Sequence, residues 1–169
     1  QDEYIKAWCA LKIMSKVYGF GDPDGFVFNM SVGYDLDGIK GRKVNTYINN
    51  MMDAGKTAQF KECKKVLTEL FPEEKDFIAS ISPNVSRSVT LSTLHGCPPQ
   101  EIERIASYLL KEKHLHTFVK CNPTILGYKT ARSILDSMGY DYIVFDEHHF
   151  NEDLQWEDAV PMFERLQKL

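Results

Sequence analysis

The stretch Ser88-Val89-Thr90-Leu91-Ser92-Thr93-Leu94-His95-Gly96-Cys97-Pro98-Pro99, followed as far as Thr117-Phe118-Val119-Lys120-Cys121-Asn122-Pro123, decides how this sequence folds. It opens with a short run of β-formers, Ser88-Val89-Thr90-Leu91-Ser92, and breaks at a loop containing Gly96. A helix then begins at Pro98-Pro99 and runs to about Lys113, with Ile102, Ile105, Ala106, Leu109 and Leu110 at helical spacing. Proline is favourable at the first helical position because that N–H has no partner in any helix. A second β run, 117–121, ends at Asn122-Pro123. Strand, loop, helix and strand in that order is the repeating unit of a parallel sheet.

Working outward, the same alternation continues in both directions. Residues 3–18 place Ile5, Trp8, Cys9, Ile13 and Val17 near helical spacing, and Gly19 with Gly21-Asp22-Pro23-Asp24-Gly25 stops that helix. Phe26-Val27-Phe28-Asn29-Met30-Ser31-Val32 reads as a strand, followed by a polar loop over 33–38. Helices are expected over 43–54 and 57–71, Pro72 closes the second, and 73–80 forms a further helical turn. Beyond the central unit, 129–138 reads as a helix with Ala131, Ile134, Leu135 and Met138 inward and Gly139 as its stop. Tyr142-Ile143-Val144-Phe145-Asp146 reads as a strand, and 157–168 as a helix in which Pro161 is tolerable only in the first turn.

The expected order is therefore a helix followed by about four β-α units. The strands are short and almost wholly apolar, as strands covered on both faces by helices must be. This is an α/β chain with a parallel sheet. Two architectures satisfy it: part of an eight-unit barrel, which usually takes about 250 residues, or a small open doubly wound sheet. The 169 residues are read as a single α/β unit. The start, Gln1-Asp2-Glu3-Tyr4, reads like the middle of a helix, so an excised piece of a longer protein is expected.

Composition narrows the function classes. Residues are 43% hydrophobic and 26% charged, with a net charge of −4 and an isoelectric point near 5.7. An acidic chain offers no basic surface for nucleic acid and no polybasic membrane patch. No apolar run approaches the ~20 residues that span a bilayer. Cysteines at 9, 63, 97 and 121 contain no Cys-x-x-Cys pair, so no zinc or iron–sulfur ligand cluster lies in this stretch. Cys9 and Cys63 read as buried free thiols of a cytoplasmic protein.

In both architectures the chemistry belongs at the carboxyl ends of the strands. There the sequence places Asn29 and Ser31, then Ser92 through Cys97, then Lys120 and Asn122, then Asp146, His148 and His149. Cys97, just before a helix N-terminus, reads either as a thiolate or proton donor, its pKa lowered by free N–H groups, or as a packing thiol in a rigid turn. His95 reads as a loop anchor or as an acid/base. Lys120 is an unusual charge within an apolar strand. It reads as a contact to an anionic or electron-rich cofactor atom, as a Schiff-base lysine, or as a strand-end residue reaching solvent. Adjacent histidines on an extended segment face opposite ways, so 146–149 is not expected to bind metal. Asn151-Glu152-Asp153 reads as a solvated acidic loop.

Four stretches carry a family resemblance. Phe28-Asn29-Met30-Ser31-Val32-Gly33-Tyr34-Asp35, Thr90 through Pro99, His116-Thr117-Phe118-Val119-Lys120-Cys121-Asn122-Pro123-Thr124 and Asp158-Ala159-Val160-Pro161-Met162 resemble the N-terminal part of the putative selenate reductase family. These are large bacterial iron–sulfur flavoproteins. More distantly, Leu91-Ser92 with Cys97-Pro98, then Val119-Lys120-Cys121-Asn122-Pro123, are similar to the FMN barrel of dihydropyrimidine and dihydroorotate dehydrogenases. The resemblance implies part of a TIM-type barrel in a multidomain oxidoreductase that passes electrons from NAD(P)H to a small-molecule substrate. FMN would bind in the intact barrel, with Lys120, Asn29, Ser31, Ser92 and Asn122 as cofactor contacts and Cys97 or His95 moving the proton. Iron–sulfur clusters, FAD and NAD(P)H would lie in the remaining domains of the parent chain. Two features depart from the pattern: Thr90 stands near a family Asn, and Thr93 through Gly96 are extra residues between Ser and Cys. A Lys120-dependent lyase or aldolase and a degenerate, non-catalytic scaffold are the alternatives.

Overall fold

The computed structural model describes residues 1–92 and 96–169, apart from the side chain of His149. In chain order the elements are α1 (Asp2–Tyr18), β1 (Asn29–Val32), α2 (Leu36–Lys40), α3 (Arg42–Met52), α4 (Ala58–Leu70), a 3-10 turn (Pro72–Glu74) leading into α5 (Lys75–Ser80), β2 (Ser88–Leu91), α6 (Pro99–Lys111), β3 (His116–Val119), a second 3-10 turn (Pro123–Leu126), α7 (Tyr128–Ser137), α8 (Glu147–Glu152) and α9 (Trp156–Leu166). The strands form a parallel sheet in the order β1-β2-β3. The α/β reading holds.

The chain divides into two compact units, Gln1–Met30 with Lys40–Ser88, and Ser31–Ile39 with Val89–Leu169. In the first, α1 packs on α4. Ile5, Trp8, Cys9 and Ile13 of α1 are buried as their spacing requires, and Phe60 is buried on α4. Gly19, at φ 67°, closes α1 in the left-handed conformation that glycine adopts without strain, its N–H donating to Ser15 O. Lys12 is buried in this unit with its charge satisfied. Its ammonium donates to Asp24 Oδ1 at 2.9 Å and to Pro23 O, and lies 4.4 Å from the Trp8 ring centroid. The strand expected from Phe26 begins only at Asn29, because the Phe28 carbonyl accepts from the Ser86 hydroxyl at 2.6 Å. The Phe26 and Phe28 rings meanwhile turn edge-on to Trp8.

In the second unit, α6 buries Ile102, Ile105, Ala106 and Leu109 and packs on β3 and α9. Glu103 on α6 accepts both guanidinium nitrogens Nε and Nη2 of Arg165 on α9, each at 2.7 Å. Pro161 sits in the second turn of α9 rather than the first. The helix continues through it and buries Ala159 and Met162. Part of the loop expected at 33–38 is helical: Asp35 Oδ1 accepts the Gly38 N–H at 2.8 Å, and α2 buries Leu36 and Ile39.

The segment 142–146, expected as a strand, makes no ladder among the described residues. Arg132 donates from Nη2 to Tyr140 O at 2.8 Å and from Nη1 to Ile143 O, which occupies carbonyls a sheet would need. Phe145 packs on Tyr128, Phe150 and the Arg132 guanidinium. The inward stripe expected on α7 holds for Ala131 alone among its buried positions; Ile134 and the following Met138 are exposed. No helix of the described residues is long and apolar enough to cross a membrane.

Candidate functional site

Backbone register decides which candidate residues share a surface. Ser92 N donates to Val32 O at 2.8 Å, and Lys120 N to Leu91 O at 2.9 Å, so the parallel register continues one residue past the ends of β2 and β3. Residues opposite each other in a ladder point the same way, and neighbours along a strand point oppositely. One face therefore carries Val32, Val89 and Leu91, all buried. The other carries Ser31, Thr90, Ser92, Phe118 and Lys120. Ser31 and Lys120 are exposed there, and Phe118 keeps 58% of its surface in solvent. Asn29, two residues before Ser31, lies on the same side of β1 and is exposed. Gly33 is needed where β1 leaves the sheet: a Cβ there would stand 2.6 Å from the Ser92 carbonyl oxygen.

The turn into α6 supplies the second part. Cys97 is half-buried, and burial is the main cause that pushes its thiol up, with the Glu101 and Asp35 carboxylates adding to the effect. This corrects the expectation that the helix N-terminus lowers its pKa. Desolvation and the two carboxylates all act in the upward direction. Cys97 is held as a protonated thiol at neutral pH, which favours its reading as a proton donor over that as a thiolate. Glu101 is itself fixed, accepting the Leu36 N–H at 2.9 Å and the Arg104 guanidinium at 2.8 Å.

The third part was not legible as such. Asp153, expected in a solvated loop, is only 8% exposed. Its Oδ1 accepts the Gly96 N–H at 2.9 Å, and its Oδ2 accepts from Asn122 Nδ2 at 3.0 Å and Thr124 Oγ1 at 3.4 Å. One carboxylate thus ties the residue before Cys97 to the exit of β3. Nothing in the local pattern Asn151-Glu152-Asp153 distinguishes this aspartate from its exposed neighbours; only the chain folding back onto residues 96 and 122 does.

A family model described as "Oxidoreductase YgfK, N-terminal TIM-barrel domain" matches residues 1–169. The chain belongs to this family. Relatives called "Putative oxidoreductase YgfK" in Escherichia coli strain K12 and in Escherichia coli O157:H7 are each 42% identical to it over 184 aligned positions. The alignments cover 99% of this chain but only 18% of the relatives' length. No solved structure matches the chain. The family decides between the two architectures open at the level of sequence: the parallel sheet is part of a TIM-type barrel.

His95 lies outside the described residues. Lys120 is one residue past β3 with its side chain exposed, so the burial that would activate a Schiff-base lysine is not provided by these residues. Asp146 caps α8, accepting the His148 N–H at 2.8 Å, and His148 Nε2 lies 3.4 Å from Glu152 Oε1 one turn on. The segment read as extended at His148 and His149 is therefore helical. Among the described residues no three His, Cys, Asp or Glu side chains converge to hold a metal.

Proposed function

We propose that this segment forms the flavin-binding part of a multidomain oxidoreductase, which carries electrons from NAD(P)H through iron–sulfur and flavin centres to a small-molecule substrate. The observation that carries this reading is the open sheet face, where Ser31, Ser92 and Lys120 converge at the strand ends of an oxidoreductase-family barrel. Its donor chemistry fits FMN: two hydroxyls and an ammonium suit the electron-rich oxygens and nitrogens of an isoalloxazine, and Phe118 offers an apolar surface beside them. Lys120, Ser31 and Ser92 would hold the ring, with Asn29 and Asn122 contributing amides. Bound there, the flavin supplies hydride transfer. The Lys120 ammonium places positive charge at the face and so holds an electron-rich atom against it. Cys97, kept protonated by burial and its acidic neighbours, holds the proton at Sγ for delivery to substrate. The iron–sulfur clusters, FAD and NAD(P)H belong to the rest of the parent chain. Four free thiols suit a reducing compartment, and we place the protein in the cytoplasm.

The test uses the full-length protein. Flavin absorbance is expected in the purified protein, with FMN released on denaturation. Lys120→Met is expected to lower flavin occupancy. Cys97→Ala should keep the flavin and lose about 100-fold or more in turnover, the usual worth of a general acid. A colourless protein that releases no flavin overturns the reading. Flavin-containing protein in which Cys97→Ala and Lys120→Ala each change turnover less than about threefold, under roughly 1 kcal/mol of barrier, identifies a scaffold instead.

A further inference from the structure

We propose that Asp153 is the positioning residue of this site, clamping the Gly96-Cys97 turn to the exit of β3. The inference rests on reading that turn as part of the site and adds the residue that sets its geometry. Asp153 is buried and accepts three donors from two distant segments, the Gly96 N–H, Asn122 Nδ2 and Thr124 Oγ1. Hydrogen bonds to a buried carboxylate are among the strongest a protein makes. The bond at Gly96 matters most, because Gly96 sits at φ +75° and a Cβ built there meets nothing within 4 Å. Close packing at that position therefore contributes little to holding the turn, and the bond to Asp153 immobilises the residue directly before Cys97. The clamp is itself anchored: the Asp153 carbonyl accepts from Gln155 Nε2 at 2.7 Å, and the same amide reaches Phe150 O at 3.3 Å. The carboxylate is thus mounted on a fixed post between α8 and α9. Asp153 acts through Gly96 and Asn122.

The chemistry of the Asp153–Asn122 pair supplies a specific test. Asp153→Ala removes the acceptor. Asn122→Asp sets carboxylate against carboxylate. The exchange Asn122→Asp with Asp153→Asn restores a donor facing an acceptor, and leaves an Asn oxygen for the Gly96 N–H. In full-length protein, alkylation of Cys97 by iodoacetamide, resolved by peptide mass spectrometry well below the melting temperature, reports the freedom of the turn. Each single variant is expected to raise the rate on the order of tenfold through local opening, and to move its pH midpoint down as burial of the thiol is relieved. The exchanged pair is expected to return to within about threefold of the wild-type rate, with the wild-type midpoint. Single variants that lower only the melting temperature, with unchanged alkylation and midpoint, overturn the proposal; so does an exchanged pair no closer to wild type than its parents. Should Asp153→Ala fail to fold, Asn122→Asp and hydrogen exchange at the wild-type Gly96 amide decide: protection supports the clamp, and exchange at the free-peptide rate rejects it. Flavin content measured in the wild-type full-length protein, whose Asn122 is intact, separates the two readings. Coloured protein with no alkylation effect overturns the clamp alone, and colourless protein with the full effect overturns the flavin reading alone.

Discussion

Cys9 and Cys97 show how one residue type is set by its surroundings. Burial, with Cys63 beside it, pushes the Cys9 thiol from an ordinary 9.0 up to about 12. Native Cys9 should therefore resist alkylation near pH 8 and react only after unfolding, which mass spectrometry of native and denatured protein will show. The same shift has a sign for stability. The unfolded thiol ionises near 9.0 and the folded one near 12, so the folded state holds its proton longer and loses stability as pH rises through that window. Urea denaturation midpoints are expected to fall between those pH values, and Cys9→Ala or Cys9→Ser should flatten that part of the profile. Asp153 is the other decisive residue. Asp153→Ala strands three donors, and a loss of about 2–3 kcal/mol is expected in equilibrium unfolding.

At the scale of elements, helices were legible because their period is written in apolar spacing and their ends in Gly, Pro and Thr. α4 illustrates it: Thr57 Oγ1 accepts the Phe60 N–H at 3.2 Å, and Thr57→Ala is expected to cost about 1 kcal/mol, measured by thermal or chemical unfolding. α9 departs from local rules. Pro161 is exposed in the second turn and has no N–H to give, so Pro161→Ala should stabilise the chain by about 1–2 kcal/mol, read as a rise in the urea midpoint at constant slope. The strand expected at 142–146 shows why short apolar runs are ambiguous. Its residues are good β-formers, but Arg132 takes the carbonyls at 140 and 143, and Val144 is left 91% exposed. A strand exists only when a partner edge accepts it.

For the whole molecule, exposed apolar surface is the salient property. In the second unit Phe118, Tyr142, Val144, Met138 and Trp156 are each more than half exposed, and a groove of about 510 Å³ lined by Leu110, Val119, Val160 and Phe163 runs along α6, β3 and α9. β3 ends the sheet of described strands. Patches and edges of this kind recruit partners. The isolated 169-residue chain is expected to bind an apolar dye and to self-associate with concentration in sedimentation velocity, whereas the full-length protein should do neither through this surface. A monomeric isolated chain with no dye binding would contradict this. The sequence by itself determined the α/β class, the longer helices, and the placement of Ser31 near the end of β1 and of Ser92, Cys97 and Lys120 after strands, because periodicity and punctuation are local and survive without the fold. It also carried the family likeness, which lies in contiguous motifs. Only the tertiary structure decided that Asp153 is buried, that Cys97 is held protonated, and that 142–146 stays out of the sheet. Those outcomes depend on groups far apart in the chain, Asp153 meeting Gly96 and Asn122, Cys97 meeting Asp35, and the energy of burying a charge or pairing an edge has no value until the partner arrives.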